Sequence, residues 1–340
     1  MTSAQPISAP EDELVTVVIP ARNEQASIGA CLEHVQAQSH HNLQIIVVDG
    51  DSDDRTVEIV KTAARSDPRI ELLCNPDRVI PVSLNMALAA VRARWLVRID
   101  AHATVPPDYV SRTVALLRTG DYGAVGGRKD GVGKTPAGRA IAAVMGSRFG
   151  VGGSTYHHGT VPQEVEHVPF GAYPVALVRE LGGWDERLRV NQDFEFDHRV
   201  RQAGHRILFD PSLVISWESR QSVPELFQQY RRYGRGKVSV LRKHPRSASP
   251  RHLAAPAVVV LWLAAAITAA SRPRRASAML LPYVGALSLA SFRVSRRLDS
   301  ADERRWVPVA FVAMHAGWGC GFWAGVGASV SGAHRPRGRA

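Results

Sequence analysis

The chain has 340 residues, 45% of them hydrophobic, a net charge of +11 and three cysteines. That length suits one large α/β domain or a domain with an appendage, and three scattered cysteines exclude a disulfide framework or a zinc module. The charge is local: nearly all acidic residues lie at or before Glu225, whereas residues 227–256 hold eight Lys or Arg and no Asp or Glu.

MTSAQPISAPEDEL has no basic start followed by an apolar run, so no secretory signal is read there. Residues 1–13 are expected to be a flexible N-terminus ahead of a cytoplasmic catalytic domain over 14–250. LVTVVIP (14–20), QIIVVDG (44–50), IELLCN (70–75) and WLVRID (95–100) are short apolar or β-branched runs, with helical stretches such as SIGACLEHVQAQ and TVEIVKTAARS between them. The alternation predicts βαβ units and a mostly parallel, Rossmann-like α/β sheet, whose ligands bind beyond the carboxyl ends of its strands. Three strand ends therefore stand out, at residues 20–24, 49–54 and 100–102.

After Asp121 the Gly-rich pieces VGG, GVGK and FGVGGS predict mobile loops. A helix is predicted from about Asn191 through DFEFDHRVRQAG, closed by Gly204. HRILFDP and LVISWES follow as two strands, and VPELFQQYRRYG as a helix. Three uncharged apolar stretches, 253–270, 276–292 and 307–332, are long enough, or nearly so, to cross about 30 Å of hydrocarbon. Residues 251–332 are thus expected to be membrane-associated helices, with a basic tail over 333–340. The first two stretches are short and rich in small residues, which leaves a re-entrant or interfacial hairpin open. With three spans and the catalytic domain inside, SRPRR and the tail HRPRGR would both lie outside, against the positive-inside tendency. The basic run before the first stretch fits a flank drawn to anionic lipid. Because it leads into apolar spans, no nucleic-acid partner is inferred.

IPARNE lacks the glycines of a dinucleotide turn, and GVGKT fails as a phosphate loop because the required first glycine falls on Arg128. What remains at the strand ends is acidic. Asp49, Asp51 and Asp54 are either turn and N-cap residues or ligands for base and ribose hydroxyls. Asn191 is read as an N-cap with Asp193 in the first helical turn, and Glu195 with Arg199 as a surface pair. The cysteines are read as small buried hydrophobes, and His157 and His158 as exposed loop residues.

As a set, VVIPARNE, VVDGDSDDRT, IDAHA and NQDFEFDHR resemble the ordered motifs of family 2 glycosyltransferases. The resemblance spans residues 14–250. It implies a GT-A fold that binds a nucleotide diphosphate sugar, a UDP-sugar favoured, with a divalent metal, Mg²⁺ or Mn²⁺. It implies that Pro20, Ala21, Arg22 and Glu24 border the nucleoside and that Asp49 and Asp51 contact base or ribose. The family's aspartate-x-aspartate falls on Asp100 and His102, with imidazole in place of the second carboxylate. Residues two apart in an extended segment point the same way, so both can face one ion. Imidazole suits Mn²⁺ better than Mg²⁺; a phosphate contact or a structural role is the alternative for His102.

The same resemblance makes Asp193 the general base, with Gln192 where the family's glutamate stands. QYRRY resembles the family's Q-x-x-R-W, giving Gln229, Arg232 and Tyr233 roles near the acceptor or diphosphate, while Arg231 and Arg235 are equally a basic membrane flank. Tyr for Trp and only three apolar spans speak against processive polymerisation. The implied activity is inverting transfer to a lipid-linked saccharide at the cytoplasmic face of a cell inner membrane or plasma membrane. Transfer onto polyprenyl phosphate is the alternative acceptor chemistry. The alternative of another class is a catalytically inactive, membrane-anchored sugar-nucleotide-binding protein.

Overall fold

The computed structural model describes residues 13–330. The N-terminal segment to residue 12 and the expected basic tail over 333–340 lie outside the described residues. Among those described, nine strands form one sheet: β1 (Val15–Ala21), β2 (Leu43–Asp49), β3 (Ile70–Cys74), β4 (Trp95–Arg98), β5 (Ala103–Thr104), β6 (Tyr122–Val132), β7 (Gln163–Glu164), β8 (Ala172–Pro174) and β9 (Arg206–Glu218). Their order is β3-β2-β1-β4-β8-β6-β9-β5, with β7 also on β9. From β3 to β4 all pairings are parallel, Val15 standing opposite Leu43 on one side and Trp95 on the other. β8 runs antiparallel to β4 and β6, and β5 and β7 run antiparallel to β9.

The β-branched runs are buried on both faces, which is why they lack a polar alternation. Val17, Ile19, Ile45 and Val47 join Ile28, Leu32 and Val35 of helix Ile28–Gln36 on one side. Val18, Ile46, Val48 and Leu96 join Leu84, Ala87 and Leu88 of helix Ile80–Ala90 on the other. Successive strand residues thus serve opposite layers. Each fully buried Ile or Leu contributes about 1.5–3 kcal/mol.

The sheet corrects several expectations. VGG is no loop but the middle of β6, where a Cβ on Gly126 would lie 2.5 Å from Val168 Cβ and one on Gly127 1.7 Å from the Leu213 carbonyl oxygen. The start of GVGK is strand too, and FGVGGS contains one helical turn, Arg148–Val151, ended by Gly152 at φ 58°. HRILFDP and LVISWES form a single strand, β9. Pro211 offers no N–H, and the Ser212 N–H turns to Asp210 Oδ1 at 2.8 Å, so the ladder is interrupted locally without ending the strand. Cys31 is buried as expected, its thiol pushed up to about 12 by burial, but Cys74 and Cys320 are exposed.

The chain divides into two compact units, one of the described residues through Asp130 with Thr155–Glu218, the other of Gly131–Ser154 with those from Ser219 onward. The second unit is mostly helical, with Pro136–Met145, Val223–Lys243, Arg251–Ala269, Pro273–Ser295 and Trp306–Val330. VPELFQQYRRYG is only the first part of its helix, which continues to Lys243. Three segments, Arg251–Ala269, Pro273–Ser295 and Ala301–Val330, are long and apolar enough to cross a membrane. Gly317, Gly321 and Gly325 form a seam along helix Trp306–Val330. A Cβ there would lie 2.6, 2.1 and 3.1 Å from the carbonyl oxygens of Phe227, Arg231 and Arg235. The helix Val223–Lys243 therefore runs parallel to it in backbone contact, an approach that only small residues permit.

Candidate active site

At the ends of β1 and β2 the chain makes two turns that are tied together. Asn23 and Asp51 adopt φ 56° each, a left-handed conformation that Asn and Asp tolerate better than most residues. The Asn23 N–H donates to Ser52 Oγ at 2.9 Å, the Asp53 N–H to Asn23 Oδ1 at 3.0 Å, and the Gly50 N–H to the Ala21 carbonyl at 2.8 Å. Asp49 is buried and receives the Ser52 N–H at 2.9 Å and its hydroxyl at 2.5 Å. Asp51 is open to solvent and paired with Arg78, itself at φ 58°. Asp54 accepts from the N–H groups of Thr56 and Gln25 at 2.9 and 3.1 Å, while the N-cap position belongs to Arg55. Pro20 and Ala21 close β1, and Arg22 is exposed beside them.

Arg98 ends β4 with its side chain only 3% exposed. Its Nε donates to Asp100 Oδ1 at 2.8 Å and its Nη1 to Asp193 Oδ1, so one guanidinium bridges two expected site carboxylates. Burial opposes that charge, but Asp100 and Asp193 outweigh it and hold the Arg98 pKa above its usual value. His102 Nδ1 lies 2.9 Å from Glu24 Oε1, whose other oxygen takes the Ser27 hydroxyl at 2.6 Å. A carboxylate that accepts from Nδ1 leaves the Nε2 lone pair of a neutral imidazole for a cation.

Among the described residues, no three His, Cys, Asp or Glu side chains gather into a metal cage. The carboxylate of Asp100 and the imidazole of His102 are donors of the kind that would hold a divalent ion shared with a phosphate substrate. Glu24 behind His102 is the kind of carboxylate that orients a metal-binding imidazole.

Asp193 opens helix Gln192–Gln202. Burial raises its pKa, against the pull of Arg98 and His167. Asn191 occupies the N-cap position, yet at φ 60° and with no side-chain capping bond. Glu195 and Arg199 are not a surface pair. Glu195 is fully buried, and Arg199 reaches it at 2.9 Å while holding the carbonyls of Leu181 and Gly183 at 2.6 and 2.7 Å. One turn after Asp193, buried Asp197 accepts from Val168 N–H and the Tyr173 hydroxyl, both at 3.0 Å, and lies 2.7 Å from His167 Nδ1. His157 and His158 are half-buried rather than exposed, and burial, helped by Lys129, pushes His157 down to about 3. Gln192 is buried beside Asp193. Gln229, Arg232 and Tyr233 stand on helix Val223–Lys243 in the second unit, Gln229 donating to the Tyr233 hydroxyl at 3.2 Å.

The motifs alone did not single out Arg98, Arg78, His167 or Asp197. For Arg98 a signal existed, since a charge within the apolar run WLVRI needs a buried partner. Asp197 stands four residues after Asp193 and so on the same helix face. For His167 and Arg78 the local sequence holds no such sign.

Residues 16–163 match the family model for glycosyl transferase family 2, and residues 95–292 that for glycosyl transferase family group 2. The succinoglycan biosynthesis protein ExoA of Rhizobium meliloti (strain 1021) is 32% identical over 323 residues, covering 92% of this chain and 96% of that protein. The chain belongs to glycosyl transferase family 2. This family 2 glycosyltransferase is also 24% identical over 239 residues to the dolichyl N-acetyl-alpha-D-glucosaminyl phosphate 3-beta-D-2,3-diacetamido-2,3-dideoxy-beta-D-glucuronosyltransferase of Methanococcus voltae, covering 67% of this chain and 74% of the relative. Its fold is shared with the mannosyltransferase PcManGT from Pyrobaculum calidifontis, solved with GDP-Man and Mn²⁺, at a TM-score of 0.64 and 22% identity over 92% of this chain and 86% of that one. The GT-A arrangement expected from the motifs is thus the fold of the transferase.

Proposed function

We propose that this glycosyltransferase moves one sugar, with inversion, from a nucleotide diphosphate donor to a lipid-linked saccharide at the cytoplasmic face of a cell membrane. The observation that carries the reading is the Arg98 bridge, which puts Asp100 and Asp193 on the two sides of one buried guanidinium. Asp100 and His102 would hold the divalent cation, and Pro20, Ala21, Arg22 and Glu24 with Asp49 and Asp51 border the nucleoside, a UDP-sugar being the favoured donor. When bound, the cation neutralises charge gathering on the departing diphosphate. Mn²⁺ is favoured over Mg²⁺ by the imidazole donor.

Asp193 takes the proton of the acceptor hydroxyl as that oxygen attacks the anomeric carbon. The carbon–oxygen bond to the nucleotide diphosphate breaks on the opposite face, which inverts the configuration. Burial makes Asp193 a better base than a free carboxylate, and Arg98 opposes that rise and aims the carboxylate. No carboxylic acid need protonate the leaving group, because a nucleotide diphosphate departs as an anion. Gln192, Gln229, Arg232 and Tyr233 serve the acceptor or the diphosphate.

Asp193→Asn is expected to retain donor binding by calorimetry while transfer falls about 10²- to 10⁴-fold. Near-normal turnover would remove Asp193 from this role. A donor screen with membrane extract supplying acceptors, with and without a chelator, identifies the sugar. Product on polyprenyl phosphate itself would replace the saccharide acceptor, and donor binding without transfer to any acceptor would mark an inactive binding protein.

A further inference from the structure

The three apolar segments of the second unit are not equivalent. Of their most apolar stretches, 22% and 17% of residues are buried in the first two and 50% in the third. The helix that lies along the third is basic. Along the glycine seam, helix Trp306–Val330 lies backbone to backbone with a helix carrying Arg231, Arg232, Arg235 and Lys237. The three arginines are exposed and Lys237 is buried. Because the two helices run parallel, residues 317–330 travel beside these charges rather than away from them. A guanidinium at hydrocarbon depth is costly, so this half of the helix lies at the level of the lipid headgroups.

The other half is too short to cross alone. Residues 306–316 are eleven positions, about 16 Å of helix, against about 30 Å of hydrocarbon. Their start is held at a polar level as well, where Glu303 receives Arg139 Nε at 2.5 Å from helix Pro136–Met145. Contacts with the first apolar helix agree. Trp318 and Trp323 donate to the carbonyls of His252 and Pro256 at 3.2 and 3.1 Å, and Gly319 abuts Ala255 and Val259. All four partners lie in the first half of Arg251–Ala269, nearest the basic run that precedes it.

We propose that helix Trp306–Val330 does not cross the bilayer but lies in its interface against helix Val223–Lys243, so that the chain crosses twice, through Arg251–Ala269 and Pro273–Ser295. Its exposed Val309 and Val312 face the acyl chains of one leaflet, and Arg231 and Arg235 face anionic headgroups. Two crossings also improve the charge balance. Arg272, Arg274 and Arg275 at the far turn oppose eight Lys or Arg over 227–256 and four Arg over 296–305, and the basic sequence HRPRGR returns to the richer side. The placement stands or falls independently of the transfer chemistry.

The test uses the full chain in sealed right-side-out and inverted membrane vesicles, with a membrane-impermeant maleimide. Cys31 is buried and its thiol pushed up to about 12, so it stays silent. A Cys320→Ser chain, labelled at exposed Cys74, reports the side of the catalytic unit. Single cysteines at Ser271, Asp299 and Ala340 are then placed in a Cys74→Ser, Cys320→Ser background. Asp299→Cys and Ala340→Cys should label in the same vesicles as Cys74, and Ser271→Cys only in the opposite ones. Labelling of Ala340→Cys opposite to Asp299→Cys would overturn the proposal, since the third helix would then cross. Labelling of Ser271→Cys on the Cys74 side would overturn it as well, since the hairpin would not cross. Protease removal of a C-terminal epitope from the otherwise unaltered chain, in only those vesicles that label Cys74, gives the same answer without cysteine substitutions.

Discussion

Arg98 shows how a charge can be kept inside this sheet. Taking an ion out of water costs several kcal/mol, and here two carboxylates offset that cost, one from its own strand end and one from helix Gln192–Gln202. Arg98→Met would leave both acids without their shared counterion and should lose about 3–5 kcal/mol of stability in chemical denaturation. Arg98→Lys keeps the charge without the planar fork and should recover only part of the stability and of the transfer rate. Equal stability of Arg98→Met and the parent would show that the bridge contributes nothing. A second residue-scale effect concerns His157. Burial holds it neutral down to about 3, whereas in an unfolded chain imidazole titrates near 6.5. Its contribution is therefore complete above about pH 6.5 and is lost as pH falls toward 3, because the unfolded state takes up the proton first. His157→Gln should flatten the drop in denaturation midpoint between pH 7 and 5; an unchanged slope would count against this origin. The acids of the site were legible as motif residues, but their partners were not. That Arg98 meets Asp193 depends on a helix 95 residues further on, and no local pattern reports such a distance.

At the scale of elements, strands and amphipathic helices followed from periodicity. TVEIVKTAARS is helix Thr56–Ser66 from end to end, and the apolar runs are β1 to β4. Glycine was misread because its two uses look alike in a sequence, a loop that needs freedom and a strand that needs room. Gly127 belongs to the second kind. Gly127→Ala would set a methyl against the Leu213 carbonyl, which cannot move as a side-chain tip can, and should cost about 1–3 kcal/mol or more. Gly29→Ala is the counterpart: its Cβ would meet only Ile59 at 3.8 Å in a helix, with a gain of up to about 1 kcal/mol. Parallel changes in the two variants, read by denaturant midpoints, would contradict the steric account. The pair Glu195 and Arg199 teaches the same limit, since its spacing was visible and its burial was not.

At the scale of the whole molecule, charge is segregated. Acidic residues fill the first two thirds of the chain, and a basic run precedes the apolar helices. A chain anchored in a bilayer meets a lipid-linked acceptor within the same thin layer, which raises the effective concentration of acceptor by orders of magnitude. With the proposed acceptor, the lipid-linked saccharide should therefore show a kcat/KM about 10²-fold or more above that of the same saccharide released into water. Equal values in native membranes would mean that anchoring plays no part in acceptor use. The glycine seam has one more consequence, and it concerns the order in which the protein is made. Helix Val223–Lys243 leaves the ribosome long before its partner, with both hairpin helices between them. Synthesis proceeds from the N-terminus at about 5–20 residues per second. For several seconds, then, the basic helix has no seam to pack on while the two apolar helices between them are made. A ribosome that stops before residue 317 releases a chain with every residue of the sheet in place and the helix of Gln229 and Tyr233 uncovered.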